Sequence, residues 1–379
     1  MGTAPVATLA ALAPVAALAP APPSPAARSA TCRGSHRCCA STPGYGAVEP
    51  VLGGRVEEVR HRQVDTNGIT MHVAEAGPAD GPVILLCHGF PEGWWSWRHQ
   101  LGPLGKAGWH VVAPDMRGFG GTSAPEDQRA YTTLHHVGDL VGLLDDLEVP
   151  DAVVVGHDWG APVAWQAALV RPDRFRAVGG LSVAWTPRAG VAPVVGMRAA
   201  LGGAWFYFTW FQEPGVAEAE LDANVRAFLR GFLFTLSADA PGDALGNMLG
   251  GDGDGILERL TQPESLPAWL TEDDLDRYAT DFERTGFRGG LSWYRCADLS
   301  WELTRAWADA RITQPALFIA GERDPVLGMS PGAAEALAEN VPGLTQSVLL
   351  PGCGHWTQQE QPQAVNDALL GFLADLPGR

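Results

Sequence analysis

The chain has 379 residues, 46% hydrophobic and 18% charged, with 26 basic against 43 acidic side chains and a formal net charge of -17. That length can bury a sizeable core. The acidity argues against a nucleic-acid partner and against a polybasic membrane anchor, both of which need a cationic surface. No stretch is apolar for long enough to span a bilayer as a helix. Six cysteines in so long a chain make no disulfide framework and point to a reducing, cytoplasmic location.

Residues 1–30 hold 12 Ala and 6 Pro, with Arg28 as the one charged side chain. Pro14, Pro20, Pro22, Pro23 and Pro25 break any helix there. No amphipathic period is present, so residues 1–54 are expected to be a disordered Ala/Pro-rich segment. A secretory signal would need a basic n-region and an apolar run without proline; a start codon placed upstream of the true one is another reading. Cys32, His36, Cys38 and Cys39 follow no standard zinc spacing, and no metal site is expected. Folded sequence is expected from about Arg55.

Residues 57–75 alternate as a hairpin around Thr66-Asn67-Gly68. Short apolar runs follow at Val83–Cys87, His110–Ala113, Ala152–Val155, Val178–Val183, Ala316–Ala320 and Ser347–Leu350, each bounded by Gly, Pro or Asp. Helix-period stretches such as Thr133–Leu147 and Ala161–Val170 lie between them. Continuous apolar strands alternating with helices predict a mostly parallel sheet with helices on both faces, an α/β fold. The alternation stops between Trp185 and Arg305, where Glu218–Phe234, Thr271–Arg284 and Leu291–Ala308 read as helices. The expected organisation is therefore a core over 55–184 and 306–379, interrupted by a helical cap over 185–305.

The strand Ala152–Val155 runs into Gly156-His157-Asp158-Trp159-Gly160 and then a helix. This is the nucleophile-elbow pattern with Asp in the place of Ser. The flanking glycines suit a tight turn in which neighbouring backbone passes too close for side chains. A plain N-cap role for Asp158 would need neither glycine. A carboxylate is already ionised at neutral pH, so it attacks a saturated carbon without a base. The base is needed afterwards, to activate water against the resulting ester. After Val83–Cys87 comes His88-Gly89-Phe90-Pro91, a strand-end turn suited to supply an oxyanion-hole N–H from Phe90, with Trp159 giving the second. Pro91 invites a cis bond. Asp324 follows the strand Ala316–Ala320 and His355 follows the last strand, both at strand carboxyl ends where open α/β sheets place their sites. The order nucleophile, acid, His is that of this fold; Glu322 is a second candidate for the acid.

On these residues the sequence resembles the soluble epoxide hydrolase branch of the α/β-hydrolase superfamily, in its single-domain bacterial and plant forms. The resemblance runs from about Val56 to Leu376. It rests on His88-Gly89-Phe90-Pro91, Gly156-His157-Asp158-Trp159-Gly160-Ala161-Pro162, Phe211-Gln212-Glu213-Pro214-Gly215, Arg284-Thr285-Gly286-Phe287-Arg288-Gly289, Trp293-Tyr294-Arg295 and Gly354-His355-Trp356-Thr357-Gln358. The resemblance implies two cap tyrosines over the nucleophile, which match Tyr207 and Tyr294 by motif position. Without it both would read as aromatic core of the cap, as Tyr278 does. It further implies a small apolar epoxide and water as partners, a vicinal diol as product, and no metal or organic cofactor. Trp210 and Pro91 are expected to contact substrate, and Trp205, Phe206 and Phe208 favour an apolar one. The oligomeric expectation is a monomer or homodimer. The acidic Gly/Asp stretch Ala238–Gly255 has no family counterpart and is expected to be a mobile cap loop.

Two rival readings share parts of this pattern. A haloalkane dehalogenase uses the same Asp nucleophile with Trp159 gripping halide, but that family has Asn where this chain has Phe90 and lacks the paired tyrosines. A ligand-binding member of the fold without turnover has no need of Asp158, Asp324, His355, Tyr207 and Tyr294 together.

Overall fold

A computed structural model describes residues 59–241, 255–329 and 332–377. The expected disordered segment 1–54 lies outside the described residues, as does residues 242–254 of the Gly/Asp-rich stretch.

Eight strands form one sheet in the order β1-β2-β4-β3-β5-β6-β7-β8. The hairpin comes first: β1 (Arg60–Thr66) and β2 (Ile69–Ala76) pair antiparallel across Asn67-Gly68. Both turn residues have positive φ, 43° and 78°, the backbone that an Asn-Gly two-residue turn provides at low cost. β2 also runs antiparallel to β4 (His110–Pro114). The remaining neighbours, β3 (Val83–Cys87), β4, β5 (Ala152–His157), β6 (Phe175–Leu181), β7 (Ala316–Gly321) and β8 (Leu344–Leu350), are all parallel.

β3, β4, β5 and β7 are buried along their whole length, because each strand packs helices on both faces. Alternate residues serve the two faces. Ile84, Leu86, Val153 and Val155 pack with Trp97, Leu101, Leu369 and Phe372, on helices Arg98–Lys106 and Pro362–Ala374 and the turn preceding the first. Leu85, Val154, Val178 and Phe318 pack with Leu140, Val163 and Leu337, on helices Thr133–Asp146, Gly160–Val170 and Ala333–Asn340. The edge strand β8 instead alternates half-buried with exposed.

Between β6 and β7 the described chain is helical. Its principal helices are Pro193–Leu201, Tyr207–Trp210, Val216–Leu221, Val225–Thr235, Glu272–Thr285, Arg288–Arg295 and Ala297–Leu303. The run expected as one helix over Glu218–Phe234 is two, broken at Asp222-Ala223-Asn224. There the Asp222 carboxylate accepts the Phe287 N–H at 2.9 Å and the Asn224 amide turns back to the Glu220 carbonyl at 2.8 Å. Leu291–Ala308 is likewise divided, at Cys296 and again at Thr304. Glu272–Thr285 starts on a capping box, Thr271 Oγ1 accepting from Asp274 N while Asp274 Oδ2 accepts from Thr271 N.

This helical layer sits on the core through aromatic rings. Phe90 and Phe119 of the core meet Phe211, Phe228, Phe232, Phe282 and Phe287 in one buried cluster. Each fully buried ring contributes on the order of 1.5–3 kcal/mol. A buried ion pair adds direction: Arg98 Nε lies 3.0 Å from Asp274 Oδ1, which also accepts the Trp95 indole N–H at 2.7 Å.

Candidate active site

Asp158 stands at the turn between β5 and helix Gly160–Val170, with φ of 50°. A non-glycine residue in that region carries strain of about 1–3 kcal/mol. The turn is possible because its neighbours lack side chains. A Cβ on Gly156 would collide with the Gly160 carbonyl, and one on Gly160 with the Cys87 carbonyl at the end of β3. Asp158 Oδ1 accepts the Phe90 N–H at 2.7 Å, and the Phe90-Pro91 peptide is cis. The Trp159 N–H stands at the start of the helix, where the first turn leaves N–H groups without intrahelical partners. Of the two amides expected for an oxyanion hole, that of Phe90 meets the carboxylate and that of Trp159 follows Asp158 in the chain at the helix start.

The turn carrying Phe90 is held by His88, whose Nδ1–H donates to the Gly89 carbonyl at 2.8 Å while Nε2 accepts the Met116 N–H at 2.9 Å. Burial of His88 keeps its pKa below the ordinary histidine value, in keeping with a neutral ring that both donates and accepts.

His355 follows β8 and brings its ring between two carboxylates. Nδ1 lies 3.0 Å from each oxygen of Asp324, and Nε2 lies 3.4 Å from Asp158 Oδ2. Asp324 is buried and fixed by the Val326 N–H, which it accepts at 2.8 Å as the cap of helix Pro325–Gly328. Glu322, the other candidate for this place, is exposed. Burial alone would lower the His355 pKa, but the charges and hydrogen bonds of Asp324 and Asp158 outweigh it and hold the ring well above its ordinary value. Burial would likewise raise Asp158; His355, His157 and the Phe90 N–H outweigh that and keep it below the ordinary carboxylate value. In the resting site the two therefore form a charged pair.

Tyr207 and Tyr294 come from different helices and share with Asp158 a cavity of about 270 Å³. Their ring centroids are 6.1 Å apart, and Tyr294 packs edge-on against Trp159 at 4.9 Å and Phe90 at 5.4 Å. Burial, then the nearby Asp158 charge, raises Tyr207 above the ordinary phenol pKa, and burial raises Tyr294 too. Both are thus protonated donors at neutral pH. The rest of the cavity wall is apolar, with Met197, Leu201, Phe206, Phe208, Val326 and Met329.

Two expected substrate contacts fall elsewhere. Trp210 follows Phe208 by two residues, about 200° around a helix. It turns to Trp205 and lines a neighbouring groove with Arg198 instead of the cavity over Asp158. Pro91 is buried beneath the turn and does not line that cavity. Tyr278 is packing that also donates to Gln359 Oε1 at 3.1 Å.

The residues that sequence reading missed are those that hold the site. Glu92 Oε2 lies 2.9 Å from His157 Nδ1, and His157 Nε2 donates to the His355 carbonyl at 2.8 Å. Glu92 also accepts from Gly89 N at 3.3 Å and from Gln359 Nε2 at 2.8 Å. One buried carboxylate thus ties the turn of Gly89 and Phe90, the turn of Asp158 and the His355 loop together. The tyrosines have their own brace. The Gln212 amide donates to the Phe208 carbonyl at 2.9 Å and to the Tyr294 carbonyl at 3.1 Å. Arg295, buried beside Tyr294, donates to the Phe211 carbonyl at 2.8 Å and to both oxygens of Glu218. Among the described residues no cluster of His, Cys, Asp and Glu could hold a metal ion, and no helix is long and apolar enough to cross a membrane.

Known proteins similar to this chain define its family. The family model of the alpha/beta hydrolase fold matches residues 82–362. Epoxide hydrolase A of Mycobacterium tuberculosis is 48% identical over 83% of this chain and 97% of its own length. Epoxide hydrolase 1 of Siraitia grosvenorii is 43% identical over 84% of this chain and 99% of its own. The crystal structure of epoxide hydrolase A from Mycobacterium thermoresistibile is similar with a TM-score of 0.81, at 50% identity, covering 85% of this chain and all of that one. The chain belongs to the α/β-hydrolase family and, within it, to the epoxide hydrolases.

Proposed function

We propose that this protein hydrolyses an apolar epoxide to a vicinal diol through an ester on Asp158, with residues 55–184 and 306–379 as catalytic core and 185–305 as cap. The observation that carries the reading is the placing of an ionised carboxylate and two protonated phenols around one apolar cavity. An epoxide opens when a nucleophile attacks carbon from one side as the ring oxygen leaves on the other. Asp158 Oδ2 forms the new C–O bond, and Tyr207 and Tyr294 hydrogen-bond the leaving oxygen, one of them giving it a proton. Asp158 Oδ1, already against the Phe90 N–H, becomes the ester carbonyl.

Alkylation also changes the base. The ester has no charge, so His355 loses one of the two carboxylates that raise its pKa. It gives up its proton, which replaces the one the phenol has given to the ring oxygen, and becomes the neutral form that can take a proton from water. That water attacks the ester carbon, Phe90 and Trp159 N–H groups hold the oxyanion, and Asp324 steadies the imidazolium that forms. The bond between the Asp158 acyl carbon and the substrate oxygen breaks, that oxygen takes the proton from the imidazolium and leaves as the diol, and Asp158 keeps the oxygen from water. These steps use the chain's own side chains, backbone amides and water.

Haloalkane dehalogenation is the competing use of an Asp nucleophile. The paired phenols favour the epoxide, since a leaving alkoxide needs a proton and a halide does not. The test is a single turnover of a styrene-type epoxide in ¹⁸O-labelled water. Label is expected in Asp158 and not in the diol; label appearing first in the diol would overturn the covalent route. A haloalkane run in parallel is expected to release no halide.

A further inference from the structure

We propose that Glu360 is a positioning residue for the second half of the reaction, holding the loop of His355 on both sides of the base and tying it to the cap; this deepens the epoxide-hydrolase reading and rests on it. Glu360 ends the single helical turn Thr357–Glu360, and its carboxylate folds back over the loop. Oε2 accepts the Gly354 N–H at 2.8 Å and Oε1 accepts the Trp356 N–H at 2.9 Å. The amides before and after His355 therefore end on one side chain. Oε2 also accepts the Ala238 N–H at 3.0 Å, from the segment that follows cap helix Val225–Thr235.

The cap reaches the same loop through its main chain. The His355 N–H donates to the Leu236 carbonyl at 3.0 Å, and the Trp356 indole N–H donates to the Leu233 carbonyl at 2.7 Å. Carbonyls at the end of a helix have no intrahelical partner, so the end of Val225–Thr235 has acceptors to offer the loop. The two backbones lie in contact: a Cβ on Gly354 would stand 2.3 Å from the Ala238 nitrogen. The same helix carries Phe232, which packs against Phe90, Tyr207 and Trp356. One cap helix therefore touches the Phe90 turn, one phenol and the loop of the base.

Glu360 does not line the cavity over Asp158, and the three hydrogen bonds above all come from main-chain amides. What it sets is where the main chain of His355 stands. The carbonyl of His355 is held by Ser182 Oγ at 2.7 Å and by His157 Nε2 at 2.8 Å, and its ring by Asp324. The amide side of the loop rests on Leu236 and Glu360. Without the carboxylate, the amides on both sides of His355 must find new partners, and the loop must move for them to do so. Ester hydrolysis needs Nε2 within hydrogen-bond reach of the attacking water, and a misplacement of about 1 Å costs on the order of 10² in rate. Ring opening does not use His355, so the same movement is silent there.

The experiment compares wild type, Glu360→Gln and Glu360→Ala on a styrene-type epoxide, in steady state and across the pH range in which His355 titrates. In Glu360→Ala, kcat should fall by about ten- to hundredfold. KM should fall with it and kcat/KM should hold, because only the step after ester formation slows, and intact mass should show the adduct building up. Glu360→Gln keeps one acceptor oxygen and serves one side of the loop, so its kcat should lie between. The pH profile gives an independent reading. In the ester, Asp324 is the one carboxylate left of the two that raise His355. A ring drawn back from it loses its proton more readily, so hydrolysis in Glu360→Ala should level at a lower pH than in wild type.

Wild-type kcat in Glu360→Ala, or kcat and kcat/KM falling together with the pH profile unmoved, would overturn the role. If Glu360→Ala does not fold, the near-isosteric Glu360→Gln decides by the same split. Label entering the diol first in the labelled-water turnover of the wild type overturns the ester reading itself. Label in Asp158 with ester decay unaltered in the Glu360 variants overturns only the positioning.

Discussion

Nε2 of His355 stands 3.4 Å from Oδ2 of Asp158, while Nδ1 of the same ring stands 3.0 Å from both oxygens of Asp324. The ring is held from the far side and is free to act only toward Asp158. Under the proposed reaction it has no part in ring opening. His355→Gln should therefore still form the ester and then stall, with hydrolysis slowed by roughly 10²–10⁴. Intact mass after mixing with epoxide should show enzyme plus one substrate. Recovery of unmodified, inactive enzyme would contradict the role.

The same pair sets the pH dependence. Ring opening needs Asp158 ionised and the phenols protonated. Asp158 is depressed below the ordinary 3.8, and Tyr207 and Tyr294 are raised above the ordinary 10. Alkylation measured in a single turnover should be flat between those two values. Hydrolysis of the ester needs His355 neutral, so its rate should climb as pH rises and then level. Adduct should accumulate on the acid side, as seen by mass after rapid quench. An alkylation rate that itself falls between pH 7 and 5 would show that His355 acts earlier than proposed.

Under the proposed reaction Tyr207 and Tyr294, on two helices, hydrogen-bond the same leaving oxygen. Replacing one with Phe removes a donor and keeps the ring, so each single change should cost about 10²–10³ in the alkylation rate. The double change should leave no measurable ring opening, with the circular dichroism and melting temperature close to wild type. Activity surviving in Tyr207→Phe/Tyr294→Phe would remove both from the chemistry.

The sequence was legible where burial on both faces leaves a strand no polar choice. Val83–Cys87 is read to the residue, and Asp158 and Asp324 each follow such a strand, whereas His355 follows the half-exposed edge strand β8 and stands out by its place last in the chain order. β6 starts at Phe175, three residues before the expected Val178, and takes Arg176 into the strand. Its guanidinium in fact lies over the Trp109 ring at 5.5 Å and reaches Asp151 at 3.1 Å. The Glu92–His157 contact joins residues 65 apart in the chain and has no local signature. Neither has the helix Pro193–Leu201, whose Met197 and Leu201 line the cavity. Trp210 is expected at the substrate as one of the cap aromatics, and residue type says nothing about the direction a side chain faces.

Arg295 shows how far the placing of the tyrosines depends on groups outside the cavity. Its side chain is 2% exposed and reaches from the helix of Tyr294 to the Phe211 carbonyl, next to the helix of Tyr207, and to both oxygens of Glu218. A lysine can keep the charge but not the fork of donors. Arg295→Lys should therefore fold, hold Glu218 by one contact, and release the Phe211 carbonyl. With Tyr207 no longer tied to Tyr294, the alkylation rate should fall by about tenfold while KM changes little, since only the transition state needs both phenols on one oxygen. Arg295→Ala should cost about 3 kcal/mol of stability, because it takes this partner from Glu218 and from the Phe211 and Glu213 carbonyls. Chemical denaturation of both variants, with single-turnover kinetics on the lysine form, separates the two effects. An Arg295→Lys enzyme as fast as wild type would show that Gln212 alone suffices to set the distance between the phenols.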